Sequence, residues 1–148
     1  MIRHRTRLRV RYADTDQMKH VYYGRYFEYF EVARTELLRS IGLPYARFEE
    51  MGFLLPVIEA SARYRRAARY DDELNVVTTL RDIPATRIRL DYEVYRNGER
   101  EVLADGYTVH SFVNASTGRP TRAPAQFLEI IETAMQKEGD PHAEKGTA

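Results

Sequence analysis

The chain has 148 residues, 23 basic against 22 acidic side chains, and no cysteine. This is the length of one ordinary domain, able to bury a core without metal or disulfide, and its charge balance does not announce a nucleic-acid or membrane-surface protein. Without cysteine there is no disulfide, thiolate ligand or thiol nucleophile, so covalent catalysis would have to use oxygen, histidine or lysine. No run approaches the ~18 apolar residues of a spanning helix, and Met1 to Val10 is too basic for a signal-peptide core, so a cytoplasmic protein is expected.

The five arginines Arg3, Arg5, Arg7, Arg9 and Arg11 alternate with Ile2, His4, Thr6, Leu8, Val10 and Tyr12, which predicts a strand with one core face and one solvated face. A turn region from Ala13 to His20 follows, and then six aromatics in nine residues: Tyr22, Tyr23, Tyr26, Phe27, Tyr29 and Phe30. Tyr23, Tyr26, Phe27, Phe30, Ala33, Leu37 and Ile41 recur in steps of three and four, predicting a helix of about 20 residues that Gly42 and Pro44 stop. Arg25, Glu28, Glu36 and Arg39 fall elsewhere on the wheel, and Glu31 with Arg34 has the spacing of a structural ion pair. So much aromatic surface needs cover on more than one side, by a sheet and by a second subunit or a ligand.

From Phe53 onward the pattern becomes extended, with strands expected near 55–66, 74–83, 86–96 and 100–114. Asn97-Gly98 marks a hairpin and the segment from Asp82 to Ala85 a second reversal. Pro124 opens a last helix through Phe127, Leu128, Ile131 and Met135. Residues 137–148 are polar and without periodicity, so a disordered tail is expected beyond a single domain of residues 1–136. The order of elements is that of an α+β fold in which one antiparallel sheet covers one long helix, and it excludes a doubly wound parallel sheet.

Chemistry is expected in the segment from Asp16 to Tyr23. It places a carboxylate a few residues before a helix N-terminus, whose unpaired N–H groups can hold a developing oxyanion. Asp14 is read as a loop support, since an aspartate in a turn accepts backbone N–H bonds. His20 either caps and packs or touches substrate. His4, His110 and His142 share no ligand spacing, so no metal site is expected.

Tyr12-Ala13-Asp14-Thr15-Asp16 and His20-Val21-Tyr22-Tyr23, followed by Tyr26, Glu31 and Arg34, form a pattern with Phe112-Val113-Asn114, Thr117-Gly118-Arg119-Pro120 and Pro124. This pattern resembles the hotdog-fold acyl-CoA thioesterases of the 4-hydroxybenzoyl-CoA thioesterase family from Arg5 to Met135. The resemblance implies an antiparallel sheet of about five strands wrapped around a long central helix, hydrolysis of a CoA thioester without a cofactor, and a homodimer or homotetramer with active sites between subunits. It implies Asp16 as the catalytic carboxylate, either nucleophile or general base, with the Tyr23 backbone N–H polarising the thioester carbonyl and Tyr22, His20 and Tyr12 around the acyl group. For the CoA phosphates the candidates are Arg87, Arg89, Arg119 and Arg122, exposed arginines on or after strands.

The chain departs from that family at Lys19, where many members carry glycine. Either the loop takes another path, or Lys19 accepts a positive φ and points outward. If Lys19 spoils the loop, the protein is instead a non-catalytic binder of acyl-CoA or acyl-carrier protein. A hotdog dehydratase ranks last, because the His-Phe-Pro-Gly type of loop is absent.

Overall fold

The alternation of arginine and apolar residues at the N-terminus does form a strand, β1 (Ile2–Arg9), with Ile2 and Thr6 inward and the arginines in water. The computed structural model describes residues 1–138. The expected tail beyond Glu138, His142 included, lies outside the described residues. After β1 come a single 3-10 turn (Tyr12–Asp14), α1 (Arg25–Ser40), α2 (Tyr45–Met51), β2 (Phe53–Leu54), β3 (Val57–Tyr64), β4 (Glu73–Leu80), β5 (Arg87–Arg96), β6 (Val102–Ser111), β7 (Val113–Asn114) and α3 (Ala125–Glu138). Five strands form one antiparallel sheet in the order β1-β4-β5-β6-β3, and β2 pairs with β7 apart from it. This is the expected α+β architecture, with α1 laid across the sheet.

Packing explains the order. On β5 the residues Ile88, Leu90, Tyr92 and Val94 are buried while Arg87 and Arg89 face out, the period-two pattern of a sheet with one covered face. Helix α1 seats on that face through Phe30, whose ring stacks on Tyr92 at 4.3 Å. Gly106 on β6 makes this approach possible: a Cβ there would lie 3.0 Å from the Phe30 ring and 2.2 Å from the Ser61 carbonyl oxygen. A second aromatic cluster of Phe48, Phe53, Phe112 and Phe127 joins α2, the β2–β7 pair and α3.

Several expectations are corrected. Tyr12 does not continue β1: the chain leaves the strand after Arg9, and Tyr12 stands 80 % exposed with its ring edge-on to Tyr70. Helix α1 starts at Arg25 rather than Tyr23, because Tyr22 and Tyr23 form the turn that leads into it. Its buried stripe is rotated accordingly, with Tyr26, Tyr29, Phe30, Ala33, Leu37 and Leu38 inside and Tyr23 and Phe27 exposed. The expected strand at 55–66 is interrupted before Val57 at Pro56, a residue that lacks a ladder donor. Helix α2 and the small sheet were not expected; Pro44 ends α1's connection but also caps the next helix. In the hairpin after β5 only Gly98 has positive φ, 81°, so Asn97-Gly98 does not form the doubly left-handed turn.

Candidate active site

Two short arms of chain, Asp14 to Asp16 and His20 to Tyr22, lie antiparallel. The Tyr22 N–H donates to the Asp14 carbonyl at 2.8 Å, the Asp16 N–H donates to the His20 carbonyl at 2.9 Å, and Thr15 bridges Val21. The turn between them closes with the Lys19 N–H donating to the Asp16 carbonyl at 2.9 Å. Lys19 adopts φ 64°, so the loop keeps the left-handed conformation that glycine would take freely, and the lysine side chain is exposed. The second arm is tied to the connection between β3 and β4 by the Val21 N–H on the Ala68 carbonyl at 2.9 Å and by the His20–Arg69 bridge.

The half-buried Asp16 side chain is positioned by its own turn. Oδ1 accepts the N–H of Met18 at 2.9 Å and of His20 at 3.3 Å, while Oδ2 has no partner among the described residues. A carboxylate fixed by one oxygen and open at the other can take a proton from water or attack an electrophile. Near it in sequence, the N–H groups of Tyr23 and Gly24 have no acceptor among the described residues, whereas those of Arg25 and Tyr26 are taken by the Tyr22 and Tyr23 carbonyls. Free N–H donors at the entry to a helix suit a developing negative charge. Tyr23 is 61 % exposed, its carbonyl accepts the Tyr64 hydroxyl at 3.1 Å, and its ring lies 4.5 Å from that of the exposed Tyr22.

Asp14 holds the loop to the helix. Its carboxylate is 1 % exposed and accepts the Arg11 N–H at 3.0 Å, the Arg11 guanidinium at 3.0 Å and the Tyr29 hydroxyl at 2.9 Å, with the Arg25 guanidinium 3.9 Å away. Burial pushes the Asp14 carboxyl up, but these bonds outweigh it and hold it below the ordinary aspartate value. Burial and the Asp14 carboxylate together push the Tyr29 hydroxyl well up.

The four CoA candidates do not share a place with Asp16 in one protomer. The Asp16 loop contacts the chain near Ala68, at the end of the sheet where the Arg96 guanidinium bonds Asp72 and the Ala67 carbonyl. Arg87 begins β5 at the opposite end, roughly 25–30 Å along the strand. The segment carrying Arg119 and Arg122 joins it there through the Thr121 N–H on the Phe112 carbonyl and the Ala123 N–H on the Ala85 carbonyl. Arg89 lies 3.9 Å over the Tyr107 ring and bonds Asp91, so its guanidinium is already engaged.

The expected Glu31–Arg34 ion pair does not form among the described residues. The i, i+3 pairs on α1 are Arg25–Glu28 and Glu36–Arg39, while Arg34 is half-buried and its charge acts on the Tyr92 hydroxyl. Arg34 borders an apolar pocket of about 350 Å³, set among α1, α2, the strand ends at Ile88 and His110, and the residues Leu54 to Pro56. No periodicity or motif pointed to this pocket, because its walls come from five separate segments. Tyr64, which braces Tyr23 from the end of β3, was likewise unmarked in the sequence.

Asp14→Asn is expected to lose about 1–3 kcal/mol at neutral pH, measured by urea unfolding. Because the folded state lowers the Asp14 value, its contribution is full above the unfolded value of about 3.9 and is lost as pH falls through the lower folded one. The gap between wild type and variant should therefore narrow below about pH 4. A gap that widens there would contradict the assignment. Lys19→Gly removes the left-handed strain and should raise stability by roughly 0.5–1 kcal/mol, allowing for the added freedom of glycine in the unfolded chain. A loss of stability would mean that the lysine side chain makes a contact that offsets the strain.

Residues 10–131 match the family model described as the thioesterase-like superfamily. An Aquifex aeolicus protein named "Putative esterase" is 32 % identical over 126 residues, covering 85 % of this chain and 95 % of its own. A Bacillus subtilis protein named "Putative acyl-CoA thioesterase YneP" is 30 % identical over 130 residues, covering 88 % and 93 %. Among solved structures, the DHNA-CoA thioesterase of Staphylococcus aureus superposes with a TM-score of 0.82 at 27 % identity, over 100 % of this chain and 98 % of that one. Fold, matched region and relatives agree, and the chain belongs to the thioesterase-like superfamily of hotdog proteins.

Proposed function

We propose that the protein is an acyl-CoA thioesterase whose reacting carboxylate is Asp16 and whose oxyanion donor is the Tyr23 backbone N–H. The observation that carries this reading is the asymmetry of Asp16: Oδ1 is fixed by two amides of its own turn and Oδ2 is unpartnered. The family membership and the CoA thioesters named for its relatives support the substrate class.

Two balanced routes use these groups. As general base, Oδ2 takes a proton from water while the water oxygen bonds to the thioester carbon. The carbonyl oxygen becomes an oxyanion held by the Tyr23 N–H, and its collapse breaks the C–S bond and releases CoA thiolate. As nucleophile, Oδ2 bonds to that carbon, expels CoA thiolate and leaves a mixed anhydride that water hydrolyses. A thiolate leaves readily, so neither route needs a strong acid beside the sulfur. The non-catalytic reading rested on Lys19 spoiling the loop. With Lys19 in the left-handed conformation and Asp16 held by its turn, that support is gone.

The site is completed by a second copy of the chain. Strand β3 lies at the sheet edge, with Val57, Ile58 and Tyr64 exposed along it, the kind of edge that seeks a partner strand. Antiparallel pairing of β3 with its copy reverses the ends, bringing the Arg87, Arg119 and Arg122 end of one sheet toward the Asp16 end of the other. Those arginines then serve the CoA phosphates across the interface.

Asp16→Asn should lower turnover of an accepted acyl-CoA by roughly 10²–10⁴-fold, read as thiol release, while unfolding stays close to wild type. Turnover retained in a folded variant would refute the role of Asp16. Sedimentation at micromolar concentration should give at least twice the protomer mass of 17.3 kDa. A monomer there would remove the inter-subunit site.

A further inference from the structure

The pocket bordered by Arg34 has a cation in its wall that is in no ion pair among the described residues. Arg34 is half-buried, and its charge lowers the Tyr92 hydroxyl against the burial that raises it. Glu31 also borders the space, but it is exposed on the helix and its charge is screened by water. The remaining lining is largely apolar, with Leu38, Leu43, Phe48, Leu54, Ile88 and Leu90. A guanidinium has five N–H donors in a planar fork and no acceptor, so a half-buried one without a carboxylate partner presents unused donors to whatever fills the pocket.

The side chains behind Arg34 fix its role as a donor. The His110 Nδ1 lies 3.0 Å from the Leu55 carbonyl, which can only accept, so Nδ1 carries the proton. Burial pushes the His110 imidazole down and the neighbouring Arg34 charge adds to this, so the ring is neutral and Nε2 is an acceptor. The Thr108 hydroxyl, 2.9 Å away, must then donate to Nε2, and the Tyr92 hydroxyl, 2.6 Å from Thr108, must donate to Thr108. Tyr92 is left with an oxygen lone pair, and the Arg34 charge acts on that hydroxyl. The three protons of this chain are committed within it, and Arg34 makes no ion pair with a described residue.

We propose that Arg34 is a specificity-determining residue of the acyl pocket, selecting thioesters whose acyl group has an apolar body and a terminal carboxylate. This rests on the thioesterase reading and on the paired edges of β3. The α1 residues that line the pocket, Glu31 to Leu38, lie about 9–20 Å along the helix from Arg25, away from the turn that carries Tyr23, and so the pocket serves the Asp16 of a second copy. The acyl group enters between the subunits, its chain lies against the leucines and Phe48, and its carboxylate takes a bidentate pair from Arg34.

The test is binding to the full chain carrying Asp16→Asn, so that no substrate is consumed, using hexanoyl-CoA against adipoyl-CoA and octanoyl-CoA against suberoyl-CoA. The carboxylate member of each pair should bind at least tenfold tighter. Adding Arg34→Met should abolish that preference, and adding Arg34→Lys, which keeps the charge without the fork, should restore part of it. Equal binding within each pair, or a preference that survives Arg34→Met, would overturn the assignment. Because the readout is binding, a failure of the thioesterase reading shows separately, as no thiol release from any acyl-CoA by the natural chain. If Arg34→Met fails to fold, the pairs measured on Asp16→Asn alone and with Arg34→Lys still decide the question.

Discussion

The buried carboxylate of Asp14 is the interaction on which the site depends. A charge removed from water is costly unless it is paired and hydrogen-bonded, and here the Arg11 amide, the Arg11 guanidinium and the Tyr29 hydroxyl supply three bonds. Arg11 follows β1, Tyr29 lies on the buried face of α1, and Asp14 itself opens the first arm of the loop. One side chain thus ties the end of a strand, a helix and the Asp16 loop together. Asp16, two residues on, inherits its position from this anchor and needs only two amides of its own turn to orient it.

The anchor also sorts the molecule into two ends. At one end lie the Asp16 loop, the Tyr23 amide and the brace from Tyr64. At the other lie Arg87, Arg119, Arg122 and the apolar pocket with Arg34 and His110. Within one protomer the Asp16 carboxylate and this apolar pocket therefore lie at different ends. The separation bears on the pairing of β3 with its copy proposed above, which would exchange the two ends. In that proposed dimer each site would draw its carboxylate from one chain and its acyl and phosphate contacts from the other.

The parts legible in the sequence were those set by local periodicity or by a short motif. Period two marked β1 and β5, steps of three and four marked α1, and the order of elements gave the α+β sheet over one helix. Lys19 shows the limit of local reading. The sequence posed the question of its conformation, but the answer needed the pairing of Asp16 with His20 and of Val21 with Ala68, which together close the turn around it. Local spacing starts α1 two positions early, at Tyr23 rather than Arg25, because Tyr23 fits helical steps as well as the residues that follow. Its exclusion came from the turn bonds leading into Arg25. Glu31 and Arg34 have the spacing of an ion pair on an isolated helix, yet in the fold Arg34 is half-buried in the wall of a pocket while Glu31 stays exposed.

By itself the sequence determined the number of layers, the antiparallel strands, the long aromatic helix and the carboxylate ahead of it, because each follows from interactions between residues close along the chain. Tertiary structure alone decided which oxygen of Asp16 is free, which amides at the helix entry are unpaired, how Arg34 turns inward, and where a pocket opens between segments far apart in sequence. Those features depend on which groups already have hydrogen-bond partners, and partners supplied by distant segments leave no periodic mark on the residues that receive them.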